Sequence, residues 1–316
     1  MIRGLGRKIL AQDDILILTH ASPDGDTLGS AVALMHGLIQ KGKRAGIYCA
    51  DEIPDRYEYL FEGLSQPDFE PKYIVSVDVA DIKLLGKGHE LYQGKIDLAI
   101  DHHEYHKSFA EKEWVNKFSA ANAEIIFDLL LGMQVNITKE IANALYTGIT
   151  TDTGCFRYRS VTSQTHRIAA ALIGMGASAG PINQWMFETK TAAQVQTEIE
   201  AMNSMELLCD NKCAVISINK EMIAKFGVSE DDLGAISSKP REIQGVLIGA
   251  VLKEKEDGSV KVSVRTNPPA NAGALCGILG GGGHLGAGGC APEGSLAEVR
   301  EKIIDTCKDY LQEMNL

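Results

Sequence analysis

Three short apolar runs in the first third of the chain each lead straight into acids or histidines, and no other feature limits the fold as tightly. Residues 15–19, Ile-Leu-Ile-Leu-Thr, end at His20, with Asp24 and Asp26 close behind. Residues 73–77 end at Asp78, and residues 96–100 end at Asp101-His102-His103. Runs this short, without polar alternation, read as strands buried on both faces. Residues 45–49 read as another strand. Helical patterns lie between and after them. Residues 27–41 put Leu28, Ala31, Val32, Leu34, Met35, Leu38 and Ile39 largely on one side. Residues 122–133, 138–150 and 162–175 also read as helices. This alternation predicts an α/β fold: a doubly wound, mainly parallel sheet.

Parallel strands all end at the same edge, which is where open α/β sheets bind ligands. Pro23 and Gly25 force a tight turn after His20 that can aim an imidazole and two carboxylates at one point. Alone, Asp24 and Asp26 need be no more than turn and helix-cap residues. Three strand ends carrying the same chemistry are harder to explain that way. Clustered carboxylates repel one another and resist ionising, and a bound cation removes that conflict. Asp152, in Thr150-Thr151-Asp152-Thr153-Gly154 just past the helix at 138–150, joins the set only because the other acids need partners. The predicted metal ligands are His20, Asp24, Asp26, Asp78, His102 and Asp152. Oxygen-rich sites with one or two imidazoles suit Mn2+, Mg2+ or Co2+ better than thiolate-loving metals. A cluster of this size can hold two divalent ions about 3.5–4 Å apart. Asp101, beside His102, reads as the acceptor that fixes its ring tautomer. The tandem histidines can both be ligands, or one can pack in the core.

The rest of the sequence sets the context. Its 316 residues allow two domains. The net charge of −11 argues against a broad surface for long duplex nucleic acid, since such surfaces are basic. The first residues, MIRGLGRKILAQDD, lack the apolar core of a signal peptide. No apolar run reaches the roughly 18 residues of a membrane span. The seven scattered cysteines form no CxxC pair, so reduced thiols and a cytoplasmic location are expected. After the small residues of 174–180, residues 191–208 read as an amphipathic connecting helix. The pattern then restarts, with strands at 214–218, 245–252 and 260–264 and helices at 271–279 and 296–311. The expected organisation is a metal-binding domain over 1–185, a helical linker over 186–205, and a smaller mixed α/β domain over 206–316.

His20-x-x-x-Asp24-x-Asp26, the strand-end Asp78, the Asp101-His102-His103 triplet and Thr151-Asp152-Thr153-Gly154, in that order, resemble the DHH phosphoesterase superfamily. That superfamily includes family-II inorganic pyrophosphatases and RecJ exonucleases. Gly280-Gly281-Gly282-Gly283-His284 with Ala287-Gly288-Gly289, and the strand Val262-Ser263-Val264-Arg265-Thr266, resemble its DHH-associated domain. The compact two-domain form is most similar to the bacterial nanoRNases, bifunctional oligoribonucleases and 3′-phosphoadenosine 5′-phosphate phosphatases.

The resemblance implies one metal on His20, Asp24 and Asp78 and another on Asp26, His102 and Asp152, with Asp78 bridging. It implies that His103 faces the scissile phosphate, beside Asp78 and Asp101 in the catalytic set, and that Arg265, Gly281, Gly282, Gly283 and His284 hold the far end of the substrate. Glycines do let backbone N–H groups approach a phosphate, and an arginine can grip it bidentately. A flexible loop without function is the plainer reading of the same glycines. Leu285, Gly286 and Thr266 depart from the family pattern, and Arg157 is a further candidate for substrate contact.

The implied activity is hydrolysis of short RNA oligonucleotides, of linear dinucleotides such as pApA, or of 3′-phosphoadenosine 5′-phosphate, with two metal ions, Mn2+ foremost. Competing enzyme readings are cyclic di-AMP phosphodiesterase and inorganic pyrophosphatase or exopolyphosphatase. The last two call for a more cationic second domain. A nucleotide-binding regulator without catalysis is the non-enzyme reading, and retention of all six ligand positions argues against it. No membrane partner is expected, and a homodimer is left open.

Overall fold

An apolar run without a polar face has to be covered from both sides, and in the first sheet it is. The computed structural model describes residues 2–65, 68–229, 231–283 and 285–314, with the backbone alone at 231 and 232. His284 lies outside the described residues. The chain divides into two compact units, Met1–Thr189 and Lys190–Leu316.

The first unit is built on strands β1 (Ile15–Leu18), β2 (Ala45–Tyr48), β3 (Tyr73–Val77), β4 (Leu98–Asp101) and β5 (Lys112–Val115). Their order is β2-β1-β3-β4-β5, and every neighbouring pair is parallel. Ile15 and Ile17 enter the large core with Val75, Val77, Leu98 and Ile100. Leu16 and Leu18 point the other way, into a smaller cluster with Val79, Leu85 and Ile96. The unit's helices are α1 (Ile2–Leu10), α2 (Gly25–Gln40), the single turn α3 (His89–Tyr92), α4 (Asn122–Gly132), α5 (Lys139–Asp152), α6 (Ser163–Gly174) and α7 (Ala179–Asn183). The chain reverses its winding between β1 and β3, and such switch points open a crevice at the strands' carboxyl ends.

Two boundaries differ from the sequence expectation in ways that matter. Helix α2 starts at Gly25, so Asp26 belongs to its first turn. Helix α5 runs on to Asp152, which is its last residue and not a residue beyond it. Strand β5 has no counterpart in the apolar pattern. It is the sheet's edge, and Lys112 and Val115 are exposed.

The second unit holds α8 (Ala192–Asn203), α9 (Lys220–Phe226), α10 (Ala272–Ile278) and α11 (Leu296–Glu313) around a mixed sheet. Its strands are β6 (Glu206–Leu208), β7 (Cys213–Ile218), β8 (Ile248–Glu254), β9 (Val260–Thr266), β10 (Gly282–Gly283) and β11 (Ala287–Cys290), in the order β10-β11-β9-β8-β7-β6. The helix expected over 191–208 is therefore shorter. It opens on a capping box of Thr191 and Gln194, ends at Asn203, and its last expected residues form β6. Val260, Val262 and Val264 enter the core with α10 and α11 residues, which leaves Lys261, Ser263 and Arg265 on the opposite face. All seven cysteines are free thiols. Among the described residues no helix is long and apolar enough to cross a membrane.

Candidate metal centre

Asp24 and Asp26 lie two residues apart and do different work. Asp24 caps α2, accepting the N–H groups of Asp26 and Thr27 at 3.0 and 3.1 Å. The plain capping role is real, yet its side chain is half-exposed and Oδ1 stands 3.7 Å from His20 Nε2. Asp26 is fully buried. Its oxygens accept the N–H groups of Asn122 and Ala123, at 2.5 and 2.9 Å, from the first residues of α4. A helix start is a natural place for a carboxylate.

Asp78 follows β3 with a left-handed backbone, φ 60°, a region that Asp tolerates better than most residues. Its carboxylate lies between two imidazoles: Oδ1 is 3.4 Å from His102 Nε2 and Oδ2 is 3.8 Å from His20 Nε2. Asp152 arrives from the far end of α5, with Oδ2 3.5 Å from His102 Nε2. Close approach of α2 and α5 makes this possible. A Cβ on Gly29 would stand 2.3 Å from the Ala144 carbonyl, and one on Gly148 would stand 2.8 Å from Asp26 Oδ1.

Both imidazoles are oriented from behind. His20 Nδ1 lies 2.9 Å from the Ala21 carbonyl, and His102 Nδ1 lies 3.1 Å from the Ser119 carbonyl. A carbonyl only accepts, so each Nδ1 carries the proton and each Nε2 faces the acids. The ligand-type atoms fall into overlapping groups, each within 4.8 Å: His20, Asp24 and Asp78; Asp26, His102 and Asp152; and Asp78, His102 and His103.

These residues fit a divalent cation. Asp78 Oδ1 is buried without a hydrogen-bond partner, which protein structures rarely leave uncompensated. Burial and the charges of Asp78 and Asp152 push the Asp26 carboxyl well above its usual range. Burial, with Asp78 and Asp24, pushes Asp152 up to about 7 against the pull of His102. Desolvation opposes a charge on His20, but the bond to Asp24 and the charges of Asp24 and Asp78 raise it to about 10. Desolvation likewise opposes ionised Asp24, and His20 outweighs it, holding the carboxyl down at about 2. Such a set holds protons it would surrender to a metal.

Asp101 corrects one expectation. It does not accept the His102 ring, which goes to Ser119; it accepts only the His102 backbone N–H, at 2.8 Å. Its oxygens take the Nδ1 atoms of His103 and His106, at 2.7 and 2.6 Å. His106 Nε2 in turn lies 3.0 Å from Glu113 Oε2. His106, Glu113 and Ser119 have no signature in the sequence, because each matters only through a neighbour that the fold supplies.

In the second unit the glycine-rich segment is a strand pair and not a loose loop. Gly282 and Gly283 pair with Gly289 and Gly288, and Ala287 pairs with Arg265. A Cβ on Gly281 would lie 2.2 Å from the Gly289 carbonyl, and one on Gly283 would lie 2.4 Å from the Ala287 carbonyl. Packing thus accounts for those two glycines. Gly282 is exposed with open space beside it, so packing does not account for it. The Thr266 hydroxyl donates to the Leu285 carbonyl at 2.7 Å and ties the end of β9 to the loop. In the first unit Arg157 folds back, its Nε donating to the Gly154 carbonyl at 2.5 Å.

Comparison with known proteins places both units in described domain families. Residues 14–149 match the DHH family N-terminal domain, and residues 210–313 match the DHHA1 domain. The chain is 28% identical over 313 residues to the bifunctional oligoribonuclease and PAP phosphatase NrnA of Thermus thermophilus, covering 94% of this chain and 90% of that one. It is 28% identical over 312 residues to the probable enzyme of the same name from Streptococcus mutans, covering 96% and 97%. The crystal structure of an exopolyphosphatase-related protein from Bacteroides fragilis superposes with a TM-score of 0.90 at 25% identity, covering 98% and 97%.

Proposed function

The chain belongs to the DHH family, its DHH domain followed by a DHHA1 domain, and from that premise we propose that it is a two-metal phosphoesterase acting on short oligonucleotides. Its products are mononucleotides, and 3′-phosphoadenosine 5′-phosphate, which would yield AMP, is a second substrate. The observation that carries the reading is Asp78, whose two oxygens face two separate groups of ligand-type side chains, around His20 and around His102. The names of the NrnA relatives support the substrate class.

In this reading His20, Asp24 and Asp78 would hold one divalent ion, and Asp26, Asp78, His102 and Asp152 would hold the other. Mn2+ suits the donor set, with Mg2+ or Co2+ as substitutes. When bound, the ions supply charge to the scissile phosphate and lower the proton affinity of water beside it. Ala21 and Ser119 keep the Nε2 atoms of His20 and His102 turned to the acids. His103, held through Nδ1 by Asp101, presents its other nitrogen to the phosphate and to the leaving oxygen. Arg265, Gly282 and His284 are assigned to binding a phosphate of the nucleotide.

The test is a substrate panel with Mn2+: linear diadenylate, RNA of two to five residues, 3′-phosphoadenosine 5′-phosphate, cyclic di-AMP and pyrophosphate. Turnover led by diadenylate and short RNA is expected. Turnover of pyrophosphate alone, or of cyclic di-AMP in preference to diadenylate, would overturn the substrate assignment.

A further inference from the structure

The buried contacts behind His103 continue past Asp101. His106 has both ring nitrogens against carboxylates: Nδ1 at 2.6 Å from Asp101 Oδ2, and Nε2 at 3.0 Å from Glu113 Oε2. Glu113 is held in turn, since its Oε1 accepts the N–H groups of Phe109 and Ala110 at 2.8 and 3.2 Å. An ionised carboxylate only accepts. Both nitrogens of His106 must therefore carry protons, because a neutral ring would set a lone pair against one of the oxygens. Its side chain is 6% exposed, so water does not substitute for either contact. The ring also lies tilted against Phe109, with centroids 5.4 Å apart.

We infer that His106 and Glu113 are positioning residues for His103. His106 occupies Oδ2 of Asp101 and leaves Oδ1 for His103 Nδ1 and the His102 N–H. Asp101 is fully buried, and with one oxygen pinned by a cation its carboxylate has a single orientation. That orientation sets the plane and the tautomer of the His103 ring. Glu113, fixed on strand β5, keeps His106 doubly protonated and in place. A buried, charged imidazole sandwiched between two acids satisfies its charge without touching the predicted metal ligands, which is what a support behind a reacting ring requires. The inference rests on the reading that His103 faces the scissile phosphate.

The experiment uses the full chain in three forms, wild type, His106→Ala and His106→Asn, with Glu113→Gln beside them. An Asn amide can replace the Nδ1 donor to Asp101 without reaching Glu113. Nitrogen spectra of the histidine rings are recorded in Mg2+, and kcat, KM and the Mn2+ binding midpoint are measured with linear diadenylate as substrate. The expected wild-type spectrum shows His106 doubly protonated and His103 with its proton on Nδ1. His106→Ala is expected to lower kcat by about 10- to 100-fold, the usual cost of an outer supporting partner, with KM and the Mn2+ midpoint nearly unchanged. His106→Asn, which restores the donor to Asp101 but neither the charge nor the Glu113 contact, is expected to recover part of that loss. A neutral His106 in the wild type, an undiminished kcat in His106→Ala, or a kcat loss matched by a loss of Mn2+ binding would each overturn the assignment. If His106→Ala does not fold, Glu113→Gln decides: His106 should lose its second ring proton and kcat should fall, and a wild-type spectrum and kcat would refute the role. If the wild type does not cleave diadenylate, the functional reading fails while the ring spectra still test the network.

Discussion

Replacing Asp152 by Asn should stabilise the metal-free protein while disabling it. The side chain is 31% exposed, and its Oδ2 lies 3.5 Å from His102 Nε2. Without metal, burial and the charges of Asp78 and Asp24 carry its carboxyl from an ordinary 3.8 to about 7. A change of that size corresponds to roughly 4 kcal/mol of cost to the ionised fold, cut to about 2 kcal/mol by solvent screening at a partly exposed group. The sign follows from linkage. A carboxyl raised in the fold costs nothing below its unfolded value, and the cost grows as pH climbs from about 4 to about 7. Asn removes it. For a unit of this size 1 kcal/mol moves Tm by about 2–4 °C, so Asp152→Asn should melt about 4–8 °C above wild type in chelator at pH 8. By pH 5 less than half of that gain should remain, roughly. Saturating Mn2+ should reverse the order, because the wild type has a ligand to offer and the variant an amide. Activity should fall by more than the roughly 10- to 100-fold that outer-shell partners cost. Melting curves with chelator and with Mn2+, at both pH values, provide the measurement. An Asp152→Asn protein that melts at or below wild type in chelator at pH 8, or that gains as much from Mn2+, would refute the argument.

Asp78→Ala should abolish turnover of diadenylate and reduce the number of Mn2+ bound per chain, measured by calorimetric titration; two ions bound with near-normal activity would rule out bridging. Exhaustive chelation should remove activity, and Mn2+ should restore it with a rise in Tm of the first unit, read by scanning calorimetry. Gly148→Ala would place a Cβ 2.7 Å from the Ala123 Cβ and 2.8 Å from Asp26 Oδ1, and should cost about 1–3 kcal/mol in urea unfolding. Gly282→Ala has open space and should leave stability within about 0.5 kcal/mol of wild type. If the backbone there cradles a phosphate, the same change raises KM for short RNA, and an unchanged KM would remove Gly282 from the substrate site.

The parallel sheet, and the gathering of acids and histidines at its edge, were legible in residue order alone. Apolar runs at 15–19 and 73–77 cannot be exposed on either face, and parallel strands bring their following residues, His20 and Asp78, to one side. Those are local patterns, and local patterns survive in one dimension. Tertiary structure decided the rest. Asp26 and Asp152 are 126 positions apart and share the site because Gly29 and Gly148 let α2 and α5 approach closely. Strand β5 escaped the apolar pattern because an edge strand is covered on fewer sides and carries a charge at its start. Its Glu113 still reaches the back of the site through His106 and Asp101. Ser119, and not Asp101, orients His102, since a backbone carbonyl carries no trace in the side-chain sequence. Residue identity announces the donors of a metal centre; which nitrogen faces the acids, and what holds it there, depends on contacts that only the folded chain makes.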